Sequence, residues 1–181
     1  MGIVSITNGT IKADILTDVG GRIIFFGRTD GENVLKSDPA LWEETAEERI
    51  IPTPETLDFK AYNGHEVWVG PQSLWWKQQD LNEDKLHSTL FWPPDPYISF
   101  GNYTILEQHN NKIIIESEKS PISGIVITKE IEIDTTGKLH FTATIENIRT
   151  TAVDWDIWFV TRVNGHNLNF APINSPDEVT L

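Results

Sequence analysis

The chain has 181 residues, 27 acidic against 14 basic, and a formal net charge of −13. That length suits one domain with a substantial core, and that charge argues against nucleic acid and anionic membrane as partners through its long-range field; neutral or cationic small molecules fit it better. Without cysteine there is no disulfide framework, thiolate metal site or cysteine nucleophile, and the redox compartment stays undetermined.

The opening Met1-Gly2-Ile3-Val4-Ser5 has neither the basic nor the apolar region of a signal peptide, and no apolar run approaches the ~20 residues that span a bilayer. A soluble protein is expected, cytoplasmic or exported after loss of a leader. Strand signals begin at once. The runs Ile3 to Thr7 and Thr10 to Thr17 flank Asn8-Gly9, a hairpin signal because both positions tolerate positive φ. Val19-Gly20-Gly21 turns the chain into a third run, Arg22 to Phe26. A helix is expected over Pro39 to Arg49, with Asp38 as its cap and Pro39 in the first helical position. Lys36 to Pro96 departs from the strand pattern, being rich in proline, tryptophan and charge, and reads as a long functional or covering excursion.

Regular strands resume after it, at Tyr103 to Leu106, Ile113 to Ser117, Gly124 to Ile133, Leu139 to Asn147 and Val153 to Val160. In the third of these, Ile125, Ile127, Ile131 and Ile133 share a face with Lys129, which is expected at a strand end or snorkelling to solvent. Short strands joined by tight turns, without alternating helices, predict a single all-β domain over residues 1–181, an antiparallel β-sandwich with the excursion at 36–96.

Between Gly64 and Tyr97 the chain gathers His65, Trp68, Gln72, Trp75, Trp76, Trp92, Asp95 and Tyr97 among four prolines. Flat rings, a few polar groups and stiff loops make a carbohydrate-facing surface. Trp92 with Trp75 is the preferred platform pair, the alternative being that both rings seal the excursion onto the sandwich. Trp75 and Trp76 are adjacent, so in an extended chain they face opposite sides and one should lie at a surface or cleft. Trp155 and Trp158 lie in or beside an apolar strand and Trp68 alternates with Val67 and Val69, so all three are expected in the core. Arg22 and Arg162 flank apolar strands; each is a solvated side chain or an anchor, and Arg162 could donate two hydrogen bonds to a ligand oxygen or an acid. Glu66 and Asp95 are the acidic residues best placed to accept sugar hydroxyls. The five histidines are scattered without ligand spacing, and no calcium loop or phosphate loop occurs, so neither metal nor cofactor is expected.

Asp18-Val19-Gly20-Gly21-Arg22-Ile23 with Gly31-Glu32-Asn33-Val34-Leu35, then Gly64 to Gln72, Trp92-Pro93-Pro94-Asp95-Pro96 and Trp158 to Val163, resemble in order and spacing an uncharacterised bacterial branch of the galactose mutarotase-like superfamily. The resemblance covers nearly the whole chain. It implies a β-supersandwich, a sugar ligand and a histidine acid, for which His65 and His166 are the candidates. Relatives of that kind run roughly a hundred residues further, within the range of large β-domains, and carry a glutamate base in that distal part. The chain is therefore expected to be an amino-terminal portion or shortened member of the fold, with no counterpart of that base.

The expected function is carbohydrate binding without an evident catalytic base, through His65, Gln72, Trp75, Trp92, Asp95 and Arg162. One rival is an aldose 1-epimerase-like enzyme with His65 or His166 as acid and Glu66 as substitute base. The other is a structural domain that forms a homodimer through its tryptophan-proline segment.

Overall fold

The computed structural model describes residues 2–45, 47–50 and 52–166. Its first hairpin follows from Asn8-Gly9: the Asn8 side-chain oxygen accepts from the Thr10 and Ile11 amides, and Gly9 takes φ 93°. Strands β1 (Ile3–Thr7) and β2 (Ile11–Leu16) therefore pair antiparallel, and β3 (Arg22–Arg28) continues the meander, with a bulge where Ile15 faces Ile23 and Asp14 faces Phe25. Two strands from far along the chain complete this sheet, β4 (His65–Gly70) and β9 (Asp156–Thr161), in the order β1-β2-β3-β4-β9. A second antiparallel sheet takes the order β5-β6-β7-β8, from Tyr103–Gln108, Lys112–Ser117, Ile125–Ile133 and Leu139–Asn147.

The two sheets form an all-β sandwich. Ile6, Ala13, Ile15 and Ile23 of the first meet Ile113, Ile115, Ile131 and Ile133 of the second in one core cluster. Val67 and Val69 meet Ile125 and Ile127 in another, which also takes in Trp75 and Trp76. The part of the excursion before β4 lies on the opposite face of the first sheet, where Tyr62, with Leu41 and Trp42 beside it, packs on Leu16, Val19 and Ile24. The domain thus has a third, irregular layer, and the ligand question belongs to the seam between that layer and the sheet.

Five expectations change. The helix is only one turn, α1 (Pro39–Trp42), although Asp38 caps it by accepting from the Ala40 amide. Beyond it the side chains are committed elsewhere: Glu44 pairs with Lys60 and accepts from the Tyr62 hydroxyl, and Arg49 reaches Asp18 at 2.5 Å. Residues 65–70, expected within the loops of the excursion, form β4, whose alternating Val67 and Val69 pack inward. Trp75 and Trp76 are both buried, because a 3-10 turn (Gln72–Leu74) and a Trp76 φ of 65° remove the extended geometry that would send them to opposite sides. Trp158, expected in the core, is 43% exposed on edge strand β9.

Lys129 is the sharpest departure. It sits in the middle of β7, fully buried, its ammonium donating to the carbonyls of Gly20 at 2.6 Å and Gly21 at 3.2 Å and lying 4.2 Å above the Tyr103 ring. The turn that holds those carbonyls needs glycine. Gly20 has φ 73°, and a Cβ there would come within 2.1 Å of the Ser99 carbonyl oxygen. Burial lowers the Lys129 pKa to about 7, with the charge of Arg22 acting in the same direction.

Candidate functional site

Alternation along β4 decides what faces what. His65 and Val67 point between the sheets, whereas Glu66 and Trp68 point into the seam under the excursion. Gly64 lets the strand begin there: at φ 81° its backbone passes so close to β3 that a Cβ would lie 2.2 Å from the Ile23 carbonyl oxygen. Arg22 opens β3 and Arg162 follows β9, so pairing on both sides of β4 brings two guanidiniums to one carboxylate. Arg22 Nη2 lies 3.2 Å from Glu66 Oε2, and Arg162 Nη1 lies 2.5 Å from Glu66 Oε1.

The two arginines differ in freedom. Arg22 is 2% exposed and spent on structure, with Nε donating to the Val19 carbonyl, Nη1 to Asn63 and Nη2 to Ser99. Burial lowers its pKa, and the Glu66 charge opposes that shift. Arg162 keeps 30% of its side chain exposed, stacks 5.2 Å from the Trp68 ring, and among the described residues uses only Nη1 in a hydrogen bond. Among the described residues its Nε and Nη2 have no hydrogen-bond partner.

These groups line a pocket of about 260 Å³. Its outer part is aromatic: Trp92 and Phe59, 45% and 40% exposed, stack nearly parallel at 12° with centroids 6.0 Å apart, and Phe100 tilts against Phe59 at 5.4 Å. Trp92 also meets Trp68 and Trp75 edge to face, at 5.2 and 5.8 Å. Lys85, from helix α2 (Glu83–His87), holds this loop by donating to the carbonyls of Leu90 and Trp92. A half-exposed indole fixed on buried indoles is pre-organised to receive a flat apolar face.

Of the residues proposed from sequence, the pocket brings together Glu66, Trp92 and Arg162. Trp75 stands behind it, 3% exposed with its indole N–H donated to the Val69 carbonyl at 2.6 Å, and supports Trp92 rather than offering a second platform. Asp95 is buried as the cap of α3 (Pro96–Ser99), accepting from the Tyr97 amide and from the hydroxyls of Ser120 and Ser123. Burial raises its pKa against those hydrogen bonds, and none of its bonding faces the pocket. Gln72 sits half-buried on the 3-10 turn, away from the pocket, and His166 is exposed on the turn after β9.

His65 belongs to a separate, largely apolar cavity of about 250 Å³ with Phe26, Leu35, Leu139 and Phe141. Its Nδ1 pairs with the Thr161 hydroxyl at 2.7 Å, and its ring meets Phe141 edge-on at 4.5 Å. Burial, aided by the charge of Lys129, lowers its pKa to about 4, so the imidazole is neutral at physiological pH. Phe59, Lys60, Trp68 and Phe100 were missed as pocket residues. Trp68 was legible in principle, two residues from Glu66 on a strand and hence on the same face; Phe59 carries no local signal. Among the described residues no three His, Asp or Glu side chains gather closely enough to hold a metal ion, and no helix is long and apolar enough to cross a membrane.

Residues 2–181 match the family described as Domain of unknown function (DUF4380). The chain belongs to that family. No curated protein and no solved structure matches it.

Proposed function

We propose that this domain binds a small carbohydrate in the seam pocket, with the Trp92–Phe59 pair as platform and the Glu66–Arg162 pair reading hydroxyls. The observation that carries this reading is the half-exposed Trp92 ring, held rigidly beside a charged, monosaccharide-sized recess. Sugars offer an apolar face of C–H groups and a rim of hydroxyls, and the pocket offers matching chemistry in that arrangement. A ring face burying ~100 Å² contributes on the order of 2.5 kcal/mol, sufficient to support weak, specific binding.

The test is a titration of intrinsic tryptophan fluorescence with a panel of mono- and oligosaccharides, using the natural chain, Trp92→Ala and His65→Ala. A saturable shift that weakens roughly 10- to 60-fold in Trp92→Ala and persists in folded His65→Ala supports the reading. No shift with any sugar, in protein shown to be folded, refutes it.

The epimerase alternative has weaker support. Mutarotation needs an acid and a base on one substrate, but His65 faces the sandwich interior, His166 lies beyond β9 outside the pocket, and Glu66 is held by two guanidiniums. Acceleration of anomer exchange, followed by NMR over several aldoses, would reinstate it. The homodimer alternative retains one specific observation, the exposed Trp158 and Phe159 on edge strand β9. A solution mass of twice the chain, reduced to one by Phe159→Lys, would favour it.

A further inference from the structure

We propose that the seam pocket selects a monosaccharide bearing an anionic substituent, with Arg162 as the residue that meets that charge; this rests on the carbohydrate reading above. The chain as a whole carries −13, a balance that favours neutral or cationic ligands. The pocket departs from that balance. Its lining holds three cations, Arg22, Lys60 and Arg162, against one carboxylate, Glu66. Lys60 is neutralised by Glu44, and Glu66 satisfies one guanidinium equivalent, leaving an uncompensated positive charge in a partly desolvated recess.

That surplus resides on Arg162. Arg22 has its donors directed to three backbone carbonyls and Glu66, so it cannot turn toward a ligand without breaking them. Arg162 gives one terminal nitrogen to Glu66, and among the described residues its Nε and other terminal nitrogen have no partner. Those two N–H groups form one edge of the planar guanidinium, the edge that meets a carboxylate or a phosphate through two parallel hydrogen bonds. The Trp68 ring beneath the guanidinium and the Glu66 carboxylate beside it fix its plane, so little freedom is lost on binding. A volume of about 260 Å³ lies below the usual range for drug-sized ligands and suits a single sugar ring. An acidic chain with a confined cationic recess also repels anions at long range, so selectivity at the pocket must come from short-range pairing rather than steering.

The experiment compares matched probes by tryptophan fluorescence at low salt: glucose against glucuronate and glucose 6-phosphate, and galactose against galacturonate, with inorganic phosphate and acetate as ring-free anions. The expected result is at least about tenfold tighter binding of an acidic sugar than of its neutral parent, weakening as salt rises from about 0.02 to 0.5 M. Preference for the uronates identifies a carboxylate as the recognised group, and preference for the phosphate ester identifies a phosphoryl group. Arg162→Met leaves Glu66 paired with Arg22 and should abolish the preference, weakening binding of the acidic sugars about tenfold more than that of their neutral parents. Should that variant fail to fold, the salt dependence and the matched pairs in the natural chain decide alone. Equal binding of acidic and neutral sugars overturns the inference and leaves the carbohydrate reading intact. Ring-free anions binding as tightly as acidic sugars refute the sugar contribution, and no binding by any probe overturns both.

Discussion

Replacing Glu66 with glutamine should be among the most damaging single changes in the seam. The substitution keeps size and removes the charge between two guanidiniums, one of them almost fully buried. At 3.2 Å and an effective dielectric of ~20, the attraction between Arg22 and Glu66 is about 5 kcal/mol before desolvation is counted. The Arg162 pair, with its 30% exposed partner, adds about 1 kcal/mol or less after solvent screening. Arg22 keeps its three carbonyl acceptors in the variant, which offset part of the loss. The expected net cost is about 3–5 kcal/mol, the range for stranding one member of a buried pair. At roughly 2–4 °C per kcal/mol for a domain of this size, Tm should fall by about 6–20 °C. Urea unfolding checks this directly, with a lower midpoint at unchanged slope. The double variant Arg22→Met with Glu66→Leu should recover only part of the loss, since no charge is then buried alone but the carbonyls of Val19, Asn63 and Ser99 lose their donor. A cost below about 1 kcal/mol for Glu66→Gln, at unchanged slope, would refute the view that Arg22 depends on this carboxylate.

Lys129 predicts a pH dependence whose sign follows from its lowered folded-state pKa of about 7, against 10.5 for the ordinary side chain. Between those values the unfolded chain binds the extra proton, so this residue's contribution makes stability rise with pH, by at most about 1.4 kcal/mol per unit; below pH 7 both states are protonated and the contribution is flat. Comparing unfolding free energies of the natural chain and Lys129→Met from pH 7 to 10 isolates that slope, and parallel curves would refute it. His65, with a folded-state pKa of about 4, gives a second window: its contribution to stability declines as pH falls from 6.5 towards 4, because only the unfolded state readily takes up the proton. His65→Phe should flatten that part of the acid limb, as read by Tm against pH. Asp95→Ala removes the α3 cap and strands the hydroxyls of Ser120 and Ser123, which should cost about 2–4 kcal/mol in thermal or urea unfolding without changing the seam pocket.

Local chemistry was enough to read much of the framework from the sequence. Asn8-Gly9 set the first hairpin because its backbone demands are met within two residues, and the alternation of Ile125, Ile127, Ile131 and Ile133 declared a buried face because strand side chains alternate whatever the partner. Asp38 before Pro39 likewise marked where a helix starts. Where that helix stops was not legible, since Glu44 and Arg49 are held by Lys60, Tyr62 and Asp18, residues remote in sequence. The same holds for the pocket. Trp92 and Arg162 stood out by residue type, but Glu66 and Arg162 are 96 positions apart and meet only because β4 and β9 pair. Lys129 belonged by alternation to a face whose contents the sequence could name, while the carbonyls of Gly20 and Gly21 that make a buried ammonium tolerable come from a turn of the other sheet. Period and turn residues are properties of neighbours along the chain and therefore readable from it; a counter-charge, a carbonyl acceptor or a ring beneath a guanidinium is supplied by distant strands and is decided only when the sheets close.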